Sequence, residues 1–253
     1  MPHLHKNTPP NRDDFVALFI ADLHLDESRP DITAIFLKFL REEAIRANAL
    51  YILGDLFEIW IGDDHDTTFN QSIIQALRQT REQGTALYLM KGNRDFLLGK
   101  KFMKQTGCHL LPDEHLITLG DKRTLLMHGD TLCTEDLTYL KFRKRARNFF
   151  VQKLFLWKPL SKRKLLAQQA QKMSHDHKHS LPSEIMDVTQ EEVMRIMTHH
   201  QVQHLIHGHT HRPAVHQFLL NGKPATRTVL APWHTQGSAL IHQGDRQEFF
   251  EIV

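Results

Sequence analysis

Asp22 and His24, Asp55, Asn93, His128, and His209 with His211 share one setting: each follows a short apolar run. Phe19-Ile20-Ala21 leads to Asp22 and His24, and Ala49-Leu50-Tyr51-Ile52-Leu53 leads through Gly54 to Asp55. Leu87-Tyr88-Leu89-Met90 leads through Lys91-Gly92 to Asn93. Leu125-Leu126-Met127 leads to His128, and Leu205-Ile206 leads through His207-Gly208 to His209 and His211. Imidazole nitrogens with carboxylate and amide oxygens, and no thiolate, suit Mn, Fe, Zn or Ni rather than a structural cysteine site. Asp22 with His24, and His209 with His211, are spaced to face the same side of an extended segment. Seven ligands are too many for one ion and suit two. Two ions about 3.5–4 Å apart, bridged by one carboxylate, can clamp the attacking and leaving oxygens of a phosphoryl transfer. Singly, a histidine at a strand end is polar surface and an aspartate after glycine is a turn. Five such endings in order argue against coincidence. His207 fits the spacing as well as its neighbours, and the residues alone do not choose.

Positioning these groups requires strands that end together. An apolar run without alternation reads as a strand covered on both faces, as in a parallel sheet, and ligands of open α/β sheets bind beyond the carboxyl ends of the strands. Strands are expected at Phe15 to Ala21, Ala49 to Leu53, Ala86 to Lys91, Cys108 to Leu111, Leu116 to Leu119, Thr124 to His128 and His204 to His207. Val229-Leu230 and the stretch from Ala239 to Val253 read as closing strands. Between them, Asp31 to Ala47 carries Ile32, Ile35, Phe36, Phe39 and Leu40 at helical spacing. Thr67 or Thr68 can cap a helix bearing Phe69, Ile73, Ile74 and Leu77, with Gly84 at its end. Leu97 to Gly107 reads as a short helix, and Leu56 to Asp66 as a loop holding Glu58. Thr189-Gln190-Glu191-Glu192 reads as a capping box ahead of Val193, Ile196 and Met197.

The stretch from Leu137 to Met173 breaks this pattern. It holds eleven Lys or Arg and no Asp or Glu, in a chain of 253 residues whose net charge is only +3, so the remainder is acidic. Tyr139, Phe142, Ala146, Phe149, Phe150, Leu154 and Trp157 mark one face of a helix broken by Pro159. Ser161 can cap a second basic helix ending near Met173, followed by a polar stretch to Ser183. Apolar residues on one face and basic ones on the other describe a helix that lies on a membrane, each basic residue contributing roughly 1 kcal/mol of attraction to anionic lipid. Nucleic acid and a phosphorylated substrate are the other anionic partners of such charge, and no recognised nucleic-acid motif supports the first. No run of about 18 apolar residues offers a membrane span. Residues 1–14 are polar, with Pro9-Pro10, and read as a loose tail without a secretory signal. The organisation expected is therefore a tail, then one α/β domain over 15–253 with a helical insertion at about 137–185. Two cysteines without metal-ligand spacing suit a reducing compartment, and nineteen histidines favour metal binding.

The ordered set Asp-x-His, Gly-Asp, Gly-Asn, His-Gly-Asp and Gly-His-Thr-His, from Phe19 to His211, resembles the calcineurin-like metallophosphoesterases. The resemblance implies an α/β sandwich of two mixed sheets flanked by helices, here with a basic helical insertion acting as a lid. It implies two metal ions, one among Asp22, His24, Asp55 and His211 and the other among Asp55, Asn93, His128 and His209; by that pattern His207 is excluded.

One departure narrows the chemistry. In much of that superfamily a histidine after Gly-Asn can protonate an alcohol leaving group, whereas here Arg94 follows Asn93. Arginine is always protonated and cannot be a general acid, but it stabilises phosphoryl charge. A leaving group needing no proton fits, such as a phosphate, whose second pKa is about 6. The bland alternative is a surface ion pair of Arg94 with Asp95. Phe19-Ile20-Ala21-Asp22-Leu23-His24-Leu25, Leu53-Gly54-Asp55-Leu56-Phe57-Glu58, Gly92-Asn93-Arg94-Asp95-Phe96-Leu97-Leu98, Met127-His128-Gly129-Asp130-Thr131-Leu132-Cys133 and His207-Gly208-His209-Thr210-His211-Arg212-Pro213 together resemble the UDP-2,3-diacylglucosamine diphosphatase family of lipid A biosynthesis. That resemblance implies manganese-dependent hydrolysis of UDP-2,3-diacylglucosamine to lipid X and UMP by water attack on the α-phosphate. It implies catalytic roles for Asn93, Arg94 and His209, and substrate contacts at Asn93, Arg94, Asp136, Ser174 and His209. It further implies a monomer, peripheral on the cytoplasmic face of the inner membrane. The family's later Asn and Lys contacts are Lys178 and Leu181 here. A dimetal esterase for another nucleotide or phosphoester, and a non-enzymatic scaffold, are the competing classes.

Overall fold

The unbroken apolar runs of the first half become parallel strands covered on both faces. The computed structural model describes residues 15–180 and 187–253, and the side chains of 174–180 lie outside that description. β1 (Val16–Ile20), β2 (Ala49–Leu53) and β3 (Ala86–Met90) pair in parallel, and the short β4 (His109–Leu110) ends that edge. On the other side of β1, the hairpin of β10 (Gly237–Gln243) and β11 (Arg246–Ile252) joins antiparallel. In the second sheet β6 (Lys122–Met127), β7 (His204–His207) and β9 (Lys223–Val229) are parallel neighbours. β5 (Glu114–Leu119) and β8 (Ala214–Leu220) flank them antiparallel. Both sheets are therefore mixed, as expected.

The sheets face each other across Phe19, Tyr51, Leu126, Ile206 and Leu240. The outer face of the first sheet is covered by α1 (Pro30–Glu42), α2 (Thr68–Glu82) and α3 (Lys100–Thr106), through Phe36, Phe39, Ile73, Leu77 and Phe102. The outer face of the second is covered by α7 (Gln190–His199) through Val193, Ile196 and Met197. Each such side chain contributes about 1.5–3 kcal/mol by leaving water. These layers hold the strands so that the groups after β1, β2, β3, β6 and β7 converge. Gly54 permits the closest approach: its φ is +95°, and a Cβ there would stand 2.5 Å from His128 Nδ1 and 2.8 Å from Gly92 Cα.

Several local expectations change. The single helix expected from Tyr139 to Trp157 is two, α4 (Leu137–Ala146) and α5 (Phe149–Leu156). Asn148 interrupts it by accepting hydrogen bonds from Phe150 N and Val151 N, which begins a new helix. α6 (Leu160–Ser180) starts before Ser161, so Ser161 is not its cap, and it runs past Met173 through part of the stretch expected to be irregular. Thr189 does precede α7, but its hydroxyl donates to Leu132 O instead of capping, so the box does not form. Thr67 caps α2 as expected, accepting from Asn70 N. The β8–β9 hairpin extends well beyond the Val229-Leu230 strand read from sequence. The tail at Met1 to Asp14 lies outside the described residues.

The helical segment is not an amphipathic cover over the core. Phe142, Phe149, Phe150 (71 % exposed), Leu154 and Trp157 (83 % exposed) face solvent. Three of its arginines turn inward, so the basic residues do not all lie on a face free to meet a membrane. Arg143 Nε donates to the buried Asp130 at 2.6 Å, and Arg143 and Arg147 both bind Asp113. Arg147 also donates to the Gly92 carbonyl at 2.9 Å. Arg163 is buried against Asp64 and the carbonyls of Ile61 and Lys158. No described helix is long and apolar enough to cross a membrane.

Candidate metal centre

Five of the seven candidate ligands adopt left-handed backbone: Asp22 (φ 55°), His24 (50°), Asp55 (51°), His209 (71°) and His211 (56°). Non-glycine residues reach that region at a cost of about 1–3 kcal/mol each, and such strain gathers where geometry is held for function. Backbone bonds hold it here: Asp22 N to Gly54 O, His24 N to Asp55 O, and Gly208 N to His128 O, at 2.9 to 3.1 Å.

The side chains converge without filling the space between them. His24 Nε2 lies 3.3 Å from His211 Nε2, and His211 Nε2 lies 3.5 Å from Asp22 Oδ1. Asp55 Oδ2 is 3.8 Å from His24 Nε2 and 3.7 Å from His128 Nε2, almost midway between two imidazoles. Asn93 Oδ1 is 3.0 Å from His128 Nε2. Asp22 Oδ1 is buried with no hydrogen-bond partner, a costly state unless a cation meets it. Among the described residues, two three-residue groups can hold an ion, Asp22 with His24 and His211, and Asp22 with Asp55 and His128. Lone pairs that face one another at such separations suit donors each about 2.0–2.2 Å from a shared ion, so the donor set fits a divalent pair.

Neighbouring contacts orient the ligands. His128 Nδ1 lies 2.8 Å from Leu53 O; a carbonyl only accepts, so Nδ1 carries the proton and Nε2 keeps its lone pair. Asp55 Oδ1 accepts from Arg94 N at 2.8 Å, which leaves Oδ2 for the site. Asp22 Oδ2 accepts from His209 N at 2.7 Å, and the His209 ring sits edge-on to His128. His207 turns away: its Nδ1 contacts Gly208 O and its Nε2 faces buried Arg227. Burial and the Arg227 charge push His207 down to about 4. Burial opposes charge on Asp22, but His211, His128 and His24 hold it well below the carboxylate range. Burial likewise lowers His128, yet Asp55, Asp22 and Asp130 bring it above its ordinary value.

Arg94 does not pair with Asp95. Asp95 is fully buried and accepts from Gly92 N and Leu56 N, both at 2.8 Å, stapling the ends of β2 and β3. Burial and nearby Asp55 push it up to about 6. Arg94 instead reaches towards Glu58, with Nη1 3.7 Å from Oε1, and its Nε is buried without a partner. Asp136 caps α4, accepting from Tyr139 N at 2.9 Å. The side chains of Ser174 and Lys178, and all of Leu181, lie outside the described residues. Sequence reasoning gave no role to Glu58 or Asp130, and counted Arg143 and Arg147 only among the basic residues that would face a membrane. The Gly-Asp of His128-Gly129-Asp130 was a visible signal for Asp130; a long arginine reaching backward leaves none.

A sequence profile of the calcineurin-like phosphoesterase family matches residues 15–213. The chain is 53% identical over 227 residues to a UDP-2,3-diacylglucosamine hydrolase of Azotobacter vinelandii, covering 90% of this chain and 94% of that one. It is 51% identical over 238 residues to the protein of that name from Ectopseudomonas mendocina, covering 93% and 98%. Among solved structures, vacuolar protein sorting 29 from Cryptosporidium parvum superposes with a TM-score of 0.50 at 13% identity, over 94% of this chain and 90% of that one, a likeness of fold alone.

Proposed function

The chain belongs to the calcineurin-like phosphoesterase family and is a hydrolase, and from that premise we propose that it cleaves the diphosphate bond of UDP-2,3-diacylglucosamine to UMP and 2,3-diacylglucosamine 1-phosphate, in lipid A biosynthesis. The observation that carries the reading is Arg94. It follows a candidate ligand, its backbone binds Asp55, and its side chain is half-buried with Nε unpartnered. A permanent cation there cannot protonate an alkoxide but can stabilise a phosphoryl group. The identity with the two hydrolases named above supports the same substrate.

Asp22, His24, Asp55 and His211 would hold one ion, and Asp55, Asn93, His128 and His209 the other, with manganese the metal we assign. When bound, such a pair supplies Lewis acidity to phosphoryl oxygens and lowers the pKa of water. The chain's own part is positional and electrostatic. Asp55 offers one oxygen between His24 and His128. Leu53 O keeps the His128 lone pair aimed inward. Asn93, Arg94, Asp136, Ser174 and His209 contact the substrate, and Arg94 offsets charge as water attacks the α-phosphorus. The sugar 1-phosphate leaves without a proton.

The exposed Phe149, Phe150, Leu154 and Trp157, beside exposed Lys141, Lys144 and Arg145, support a lid that meets acyl chains and an anionic membrane. The enzyme would then act as a monomer, peripheral on the cytoplasmic face of the inner membrane. A substrate panel tests the reading: with manganese, phosphorus-detected turnover should favour UDP-2,3-diacylglucosamine over unacylated UDP-sugar and simple phosphodiesters. Equal or better turnover of a phosphodiester would overturn it.

A further inference from the structure

Past the ends of β1 and β2 the two chains stay paired. His24 N donates to Asp55 O at 3.0 Å, Leu25 N to Leu56 O at 2.9 Å, and Glu58 N to Leu25 O at 3.1 Å. Leu25 and Phe57 form an isolated parallel bridge. This short extension brings Glu58 beside His24, with Glu58 Oε2 2.8 Å from His24 Nδ1, a close ion-pair contact that is not aligned as a hydrogen bond. The other oxygen faces two more groups. Gln171 of α6 donates to Oε1 from 3.2 Å, and Arg94 Nη1 stands 3.7 Å from it. One carboxylate thus touches a candidate ligand, the candidate phosphoryl-stabilising arginine and the basic helical segment.

We infer that Glu58 is a positioning residue that couples the seating of α6 to the metal centre: it fixes the ring of His24 through one oxygen and shares the other between Gln171 and Arg94. The inference rests on the assignment of His24 and Arg94 above. An imidazole that ligates through Nε2 keeps its proton on Nδ1, and a carboxylate accepting there fixes the ring and raises its basicity. Glu58 is the acidic group at that nitrogen, whereas His128 uses a backbone carbonyl. At 3.7 Å Arg94 is restrained but not locked. Gln171 competes for the same oxygen, so seating α6 loosens the hold of Glu58 on Arg94 and leaves the guanidinium available to a phosphoryl group. Without Gln171, Arg94 stays with Glu58.

Manganese titration followed by electron paramagnetic resonance tests the link from Glu58 to His24 without any turnover, and turnover of Gln171→Ala tests the link to α6. The isosteric Glu58→Gln should keep its melting behaviour and bind one of two Mn²⁺ about 10–100-fold more weakly, the usual effect of losing such a carboxylate. The loss should vanish in a His24→Ala background, because both changes act through one ring. Gln171→Ala should keep Mn²⁺ affinity within about twofold yet lower kcat, a split that a merely structural contact would not give. Wild-type Mn²⁺ affinity in Glu58→Gln, or an equal loss in the His24→Ala background, would overturn the role of Glu58 alone. Unchanged affinity in His24→Ala would overturn the ligand assignment and this inference together. Unchanged kcat in Gln171→Ala would overturn the coupling to α6, and the substrate reading stands apart from the titration, which no substrate enters.

Discussion

One added methyl at Gly92 would strike the centre of the site. A Cβ there would lie 2.0 Å from Asp55 Oδ1 and 2.3 Å from Asp55 N, where ordinary contact begins at 3.4 Å. Neither neighbour is the end of a flexible chain: one is backbone, and the other is the carboxylate between the two histidine groups. Retreat of Asp55 breaks the 2.8 Å bond from Arg94 N and takes Oδ2 beyond the roughly 0.2 Å tolerance of a metal–ligand bond. Overpacking costs about 1–3 kcal/mol and a stranded donor about 1–3 kcal/mol more, so Gly92→Ala should lose ~2–6 kcal/mol of stability. Against a typical total of about 5–15 kcal/mol, a loss at the lower end of the range for Gly92→Ala leaves most of the protein folded. Urea denaturation measures the loss, and Mn²⁺ titration of the folded protein should find both ions weakened, because in the proposed assignment Asp55 serves both. Two ions bound by Gly92→Ala with wild-type affinity would refute the placement of Asp55 at the centre.

Asp55→Asn should likewise weaken both ions while His24→Ala mainly weakens one; metal analysis of each variant checks this, and two tightly held ions in Asp55→Asn would remove the bridging role. Arg94→Ala should lower kcat/KM on the scale of about 2.7–4 kcal/mol for one lost transition-state donor, and unaltered kcat/KM would make Arg94 a bystander. Reversing the exposed Lys141, Lys144 and Arg145 to glutamate should release the protein from anionic vesicles, as should salt, which screens exposed charges beyond about 8 Å at physiological strength. Arg143 and Arg147 are left out because they bind Asp113 and Asp130, and retained vesicle binding after both treatments would exclude this face as the membrane contact.

Much of the site was legible because parallel strands announce themselves twice, by unbroken apolar runs and by the polar groups at their ends. Ala49 to Leu53 is buried at every position, and Asp55 follows where the run implied. What periodicity cannot carry is the direction of a long side chain. Arg143, Arg147 and Arg163 look in sequence like their solvated neighbours, yet each reaches back to a carboxylate or carbonyl of the sheet-end loops. Asp95 follows Arg94 and invites pairing with it, but two backbone N–H groups of converging loops claim it first. The residues alone did not choose between His207 and His209; the family pattern excluded His207, and Arg227, twenty residues on, shows where it faces. Two misses had local signals. Asn148, between the basic stretch ending at Arg147 and the apolar Phe149-Phe150-Val151, marked the break between α4 and α5, and Asn221-Gly222 is a strong hairpin turn between β8 and β9.

Hydrolysis of UDP-2,3-diacylglucosamine by the manganese-loaded enzyme in ¹⁸O-labelled water, with mass analysis of both products, tests the central claim most directly. Water attack on the α-phosphorus, with a sugar phosphate leaving unprotonated beside Arg94, places the label in UMP and none in 2,3-diacylglucosamine 1-phosphate. Label confined to the sugar phosphate, or no cleavage under conditions where a simple phosphodiester is hydrolysed, would contradict it.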